Sequence, residues 1–266
     1  MIAPETSEVA VYTEALTRGG VLLDEMRTLL AAWQPGETAA GFGKRVRGED
    51  ILSKATARTI SDYMLAFSRR FLNPDGTAAR HLRRLLAGSV SRQVGDDVIW
   101  YYTARAEKLL WDFTTLCYWP AARLGRLTLS NDDVRSMLWE AELDGRLRGW
   151  SPAVKHDMPA RVLTALAEFG LLGPRKAGRR EILPYRPMDG TVLYLAHLLH
   201  EDGVTDASLA QQATWALFGL EPADVWHRLQ SLVPEGWFVL QRAGQVVRIT
   251  WKYQTVAEVV DELAGG

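Results

Sequence analysis

Apolar residues along this chain recur mostly at three- and four-residue steps, the period of an amphipathic helix. Leu22, Met26, Leu29, Leu30 and Trp33 make one such face over 20–33, and Gln34-Pro35-Gly36 stops it. A short helix is predicted over 38–47, followed by a compact turn at Glu49-Asp50-Ile51-Leu52. Ser53 is the expected N-cap of a helix over 53–72, because its hydroxyl can accept from a free N–H of the first turn. Ile60, Met64, Phe67 and Phe71 form the apolar stripe of that helix, with Lys54, Arg58, Asp62 and Arg69 on another face. Asn73-Pro74-Asp75-Gly76 reads as a turn, and 77–88 as a short basic helix. The aromatic stretch 96–119 reads as one long central helix ended by Pro120.

The second half carries stronger punctuation. Thr128 or Ser130 opens a helix with Asp132 and Asp133 in its first turn, where they favour the positive end of the dipole. Ser151-Pro152, a cap followed by proline at the first helical position, starts another helix that runs to Gly170. Pro159 is expected to kink it or split off its first turn. Gly178 centres a short turn or hairpin. Helices follow near 190–201, 206–218 and 222–232. Two β-rich runs then flank Ala243-Gly244 over 237–251, and a terminal helix covers about 255–264. The pattern predicts a mainly α, compact multi-helix globular fold with two helix-turn-helix elements and a C-terminal winged-helix-like β-hairpin. Regions 1–125, 126–186 and 187–266 are the natural divisions, equally compatible with one continuous domain.

Composition narrows the chemistry. The chain of 266 residues can bury a sizeable core, and its ten tryptophans sit mostly within apolar helical patterns, where packing explains them. A single cysteine, Cys117, excludes an internal disulfide framework and reads as a buried structural thiol. The N-terminus lacks a signal-peptide pattern and no run is long enough to span a bilayer, so a soluble cytoplasmic protein is expected. No Walker loop, dinucleotide fingerprint, nucleophile elbow or zinc-protease motif is present. His197 and His200 lie three apart, but no third ligand stands beside them except Glu201 or Asp202, and a surface or partly buried pair is the simpler reading. No cofactor, metal or catalytic residue is expected, and the chain reads as a non-enzyme.

Charge changes the picture more. The net charge is −1, yet 44–92 carries eleven Lys/Arg against four acids, and 145–186 carries nine against three. The other three stretches are acidic, so the cations are concentrated where a polyanion would be held at defined places. In each basic segment a helix, a tight turn and a Ser-capped helix follow one another. This is the order of a helix-turn-helix element, whose second helix meets base edges. The first set of candidates is Lys44, Arg45 and Arg47 before the turn, then Ser53, Lys54, Thr56 and Arg58, with Arg69 further along. The second set is Lys155, His156 and Arg161 on the helix, then Arg175, Lys176, Arg179 and Arg180 in a Gly-flanked loop suited to a wing. Double-stranded DNA is the expected partner. The alternative is an assembly or adaptor subunit that docks partner proteins through the same basic segments, and RNA is a third candidate. The C-terminal hairpin sits in a segment of net −6, which favours packing or partner docking there.

Tyr12-Thr13-Glu14-Ala15-Leu16-Thr17-Arg18-Gly19-Gly20-Val21-Leu22-Leu23-Asp24-Glu25 resembles the start of the BrxA family of BREX (bacteriophage exclusion) systems. Ile51–Thr59, Phe67-Ser68-Arg69-Arg70-Phe71-Leu72 and Leu163–Leu172 are further echoes, and the similarity covers roughly 12–185. The resemblance implies a mainly helical protein that binds double-stranded DNA through helix-turn-helix elements. It also implies work with other phage-defence proteins, without enzymatic activity of its own. A monomer without membrane attachment is expected.

Overall fold

The computed structural model describes residues 11–18, 20–53, 55–244 and 246–265. In chain order the helices are α1 (Leu23–Ala32), α2 (Ala39–Gly48), α3 (Ala57–Phe67), α4 (Thr77–Ala87), α5 (Arg92–Ala106), α6 (Lys108–Phe113), α7 (Trp119–Arg123), α8 (Asn131–Leu143), α9 (Pro152–Glu168), α10 (Asp189–Glu201), α11 (Pro222–Leu232) and α12 (Val256–Gly265). The strands are β1 (Thr128–Ser130), β2 (Leu172–Lys176), β3 (Arg179–Ile182), β4 (Phe238–Ala243) and β5 (Val246–Trp251). Wider π-helical turns at Ser68–Leu72 and Thr114–Tyr118 extend α3 and α6. The protein is mainly α, with two small antiparallel sheets among the described residues. No helix among those residues is long and apolar enough to cross a membrane.

The chain divides into two units, each assembled from two separated stretches. One, here the inserted unit, joins 1–21 to 107–183; the other, the framing unit, joins 22–106 to 184–266. The passage between them at 106/107 breaks the single helix expected over 96–119. Glu107 leaves helical geometry at φ −117° and ψ 83°, and α5 ends one residue before it. Pro120 does not end the second part: the helical run passes through the π-helical turn Thr114–Tyr118 into α7, with Pro120 in the first turn of α7.

In the inserted unit Ser130 and Asp133 form a capping box at the start of α8. The Ser130 hydroxyl accepts from the Asp132 N–H, and the Ser130 N–H donates to the Asp133 carboxylate at 2.7 Å. Ser151 caps α9 by accepting from the Val154 N–H, with Pro152 next to it. Pro159 neither splits nor ends α9, which runs unbroken to Glu168. One lost intrahelical bond is tolerated where Met158, Val162, Leu163 and Leu166 bury the helix face. β2 and β3 form a hairpin, and β1 adds to β3, giving the order β1-β3-β2. The hairpin turns on Ala177 and Gly178, both with positive φ, as a tight two-residue connection requires. Tyr118, fully buried, donates its hydroxyl to the Leu171 and Leu183 carbonyls and so ties the helical part to the base of the hairpin.

A strap from residues 12–18 completes this unit. The Tyr12 N–H donates to the Arg146 carbonyl, the Trp150 indole donates to the Tyr12 carbonyl at 3.0 Å, and the Tyr12 hydroxyl donates to Asp112 at 2.8 Å. Arg146 donates to the same hydroxyl and lies over the Tyr12 ring. The α8–α9 turn is therefore held at two points by one buried tyrosine. Burial and the neighbouring carboxylate push the Tyr12 phenol well above its ordinary range, so it stays a neutral donor.

In the framing unit α4 packs against α1, α5 and α12. Gly88, just past α4, touches the Ala264 backbone so closely that an added Cβ would sit 2.5 Å from it. Asp97 on α5 is buried and accepts from the Tyr185 hydroxyl, the Met188 N–H and the Thr191 hydroxyl, fastening α5 to the returning chain. Burial outweighs those three hydrogen bonds and pushes its carboxyl up to about 6. The helix expected over 206–218 is two 3-10 stretches, Asp206–Gln211 and Ala213–Phe218, parted by an extended Gln212; the Trp215 indole donates to the Leu209 carbonyl across the step. The expected hairpin over 237–251 forms as β4–β5, in register from Phe238↔Trp251 to Ala243↔Val246.

Candidate nucleic-acid interface

The two basic segments meet different fates, the first within the framing unit and the second largely within the inserted unit. In the first, Thr38 caps α2, and a turn over 49–53 precedes α3. Ser53 is not the cap: its φ of +27° holds it in the turn. Thr56 instead takes the extended conformation a cap needs and accepts from the Thr59 N–H at 3.1 Å. Thr56 is exposed at that position, and its hydroxyl is also 2.8 Å from that of Thr59. Lys54 lies outside the described residues. Lys44, Arg47 and Arg58 are exposed.

Arg45 is spent within the fold. Its guanidinium donates to both Glu37 carboxylate oxygens, to Glu49 and to the Ala32 carbonyl, an arrangement that holds its pKa above even the usual arginine range. Arg69 is not on an exposed face beside Arg58. The π-helical turn carries it inward, half-buried, into the lining of a cavity of about 470 Å³ with Arg70, His81, Tyr102 and Arg105. Burial lowers its pKa, which is the cost of removing a cation from water.

The second segment leaves more of its cations outside. Arg161 on α9 and Arg175, Lys176 and Arg179 on the β2–β3 hairpin are exposed. The hairpin register sets Arg175 opposite Arg180 and Lys176 opposite Arg179, so like charges face one another across the strands. Such a pairing costs stability on its own and is relieved by an anion lying against it. Arg180 is the half-buried member. It donates to the Gly173 carbonyl at 3.1 Å and to the Thr164 hydroxyl of α9 at 3.2 Å, bracing the hairpin against the helix. Burial, and after it the neighbouring Arg175, lowers its pKa. Lys155 is tied back to Glu142 of α8, and exposed His156 pairs with its neighbour Asp157. Arg148, in the turn, adds an exposed cation that the capping signals do not mark.

Other expected chemistry also finds its place. His197 is buried with its Nδ1 2.8 Å from the Leu193 carbonyl, and both His197 and His200 lie against the Trp251 ring. Cys117 is half-buried rather than buried, its thiol 3.9 Å from the Met137 sulfur and pushed up in pKa by burial. Trp139 departs from the packing role expected of the tryptophans: it is 65% exposed on α8, with Leu143 one turn on at 73%.

Fold and site together define a mainly α-helical protein that displays cations on a helix pair and its adjoining hairpin. Residues 10–198 match the BrxA family, and the chain belongs to that family, which associates it with BREX phage defence. A crystal structure of an uncharacterized protein from Magnetospirillum magneticum has a similar fold, with a TM-score of 0.59 at 18% identity over 79% of this chain and 99% of that one. No curated protein matches this chain.

Proposed function

We propose that this protein is a non-enzymatic, double-stranded-DNA-binding component of a BREX phage-defence system. The observation that carries the reading is the inserted unit's order of β1, α8, turn, α9 and the β2–β3 hairpin, with Arg161, Arg175, Lys176 and Arg179 exposed on its last three elements. That order matches a winged helix-turn-helix, in which the second helix enters the major groove and the hairpin contacts the backbone. α9 supplies the groove helix. The hairpin cations and Arg148 supply phosphate contacts, and Arg180 holds the hairpin to α9 through Thr164. Lys44, Arg47 and Arg58 of the framing unit form a weaker candidate contact, since Arg45 and Arg69 are already engaged or turned inward.

The test is fluorescence anisotropy with a labelled duplex over a salt series. Binding that weakens steeply with salt supports the reading, and unchanged affinity in a variant with Arg175, Lys176 and Arg179 all reversed to Glu removes the hairpin from the site. A second reading, docking of a partner protein, is favoured by exposed Trp139 and Leu143, which stand at i and i+4 on α8. A partner held there would be lost in Trp139→Ala without any change in duplex binding.

A further inference from the structure

Averaged over 187–266, the C-terminal segment is acidic, but its cations are not spread through it. Four are present: Arg228, Arg242, Arg248 and Lys252. Arg228 is buried and donates to Asp189 and to the Pro187 carbonyl. The other three all lie on the β4–β5 hairpin or one residue past it, and all are exposed. Between Trp237 and Tyr253 there is no acid.

The ribbon holds these groups out. Gln241 stands opposite Arg248 and Val239 opposite Thr250 on one face, while Phe238, Trp251 and Ile249 bury the other. Arg242 lies over the Trp226 ring at 5.4 Å and Lys252 over the Tyr253 ring at 4.7 Å, so aromatic faces position both cations without neutralising them. Three acids lie near the ribbon: Asp206 accepts from the Ile249 N–H at 2.8 Å, Glu235 accepts from the Trp237 indole at 3.1 Å, and Glu262 on α12 acts on Lys252 at longer range.

We infer that the β4–β5 ribbon is a second contact for the phosphodiester backbone of duplex DNA, separate from the β2–β3 hairpin. The major groove is wide enough to admit a two-stranded ribbon. The exposed groups here, Arg248, Gln241 and Thr250 with Lys252 at the base, are phosphate and base-edge donors. The ribbon lies beyond residues 10–198, so it is a feature of this chain outside the stretch matched to the family. The inference rests on the duplex-binding reading above.

The experiment compares the full chain with its Arg248→Ala/Lys252→Ala variant in a salt series on one duplex. Both residues are exposed, and an unchanged thermal melt confirms that the variant folds. Loss of two phosphate contacts lowers the slope of log K against log salt by about 1.8, at about 0.9 for each contact. Salt-sensitive binding by the parent with an unchanged slope in the variant overturns the ribbon contact alone, and leaves an acidic protein as its occupant. No duplex binding by the parent overturns the functional reading itself. The same series on single-stranded DNA completes the test. A variant that loses slope only on the duplex supports the duplex contact; an equal loss on both shows general attraction to polyanions and refutes it.

Discussion

The two basic segments treat charge in different ways. The first, in the framing unit, spends much of it internally: Arg45 holds Glu37 and Glu49 and Arg69 turns inward, and in the same unit Arg228 holds Asp189 while buried Asp97 gathers three donors. The inserted unit braces its hairpin with one arginine, Arg180, and leaves Arg175, Lys176 and Arg179 in water. Equal densities of Lys and Arg along a sequence therefore carry different meaning. A cation is more available to a ligand where the fold has not already given it a carboxylate or a carbonyl.

The contrast can be broken at its internal side first. Asp97→Ala should destabilise the framing unit by about 3 kcal/mol, because three donors lose their acceptor at roughly 1 kcal/mol or more each. Urea unfolding followed by tryptophan fluorescence measures it, and a loss below about 1 kcal/mol would show that the network contributes little. On the external side, reversing Arg175, Lys176 and Arg179 to Glu should weaken duplex binding about a hundredfold, near 2.8 kcal/mol. Lys44→Glu with Arg58→Glu should cost about tenfold or less by the same titration. Equal losses in the two variants would abolish the distinction between the two basic segments.

Two smaller effects sharpen it. Burial holds His81 and His197 below the ordinary histidine pKa, so the folded chain carries fewer protons at these two sites than the unfolded chain. Stability should fall as pH drops through the ordinary value of 6.5, and His81→Gln/His197→Gln should flatten that dependence in thermal melts. Asp97 acts in the opposite sense: with its carboxyl raised from 3.8 to about 6, the contribution of its proton is fully present below 3.8 and lost as pH rises through 6. Melts taken from about pH 8 down to about pH 6 therefore read mainly the histidines. The least effect is expected for Thr164→Ala, which removes one bond to Arg180 and should weaken duplex binding about twofold, near 0.4 kcal/mol, in the anisotropy titration.

Local signals that act over a few residues were legible in the sequence. Ser151-Pro152 starts α9, Ser130 with Asp133 starts α8, and the glycine at 178 closes a hairpin, because caps and tight turns are settled by neighbouring atoms. The break at Glu107 was not. Nothing in Ala104-Arg105-Ala106-Glu107-Lys108 disfavours a helix, and the interruption falls where the chain passes from one unit to the other. Ser53 and Thr56 are both good caps, and only the backbone of the turn decides between them. At the site, the hairpin cations were visible as a loop between glycines. The engagement of Arg45 by Glu37 and of Lys155 by Glu142, and the inward turn of Arg69, depend on packing that periodicity cannot specify.

The strap formed by Tyr12 has a consequence for how the molecule is made. Its partners at Arg146 and Trp150 lie 134 and 138 positions later. During synthesis the strap leaves the ribosome long before the turn it secures exists. Closure over such a span is slow. The helix pair proposed to hold DNA thus acquires its final fastening late. A fragment cut to begin at residue 107 would contain every cation of that surface but not the tyrosine that locks its turn.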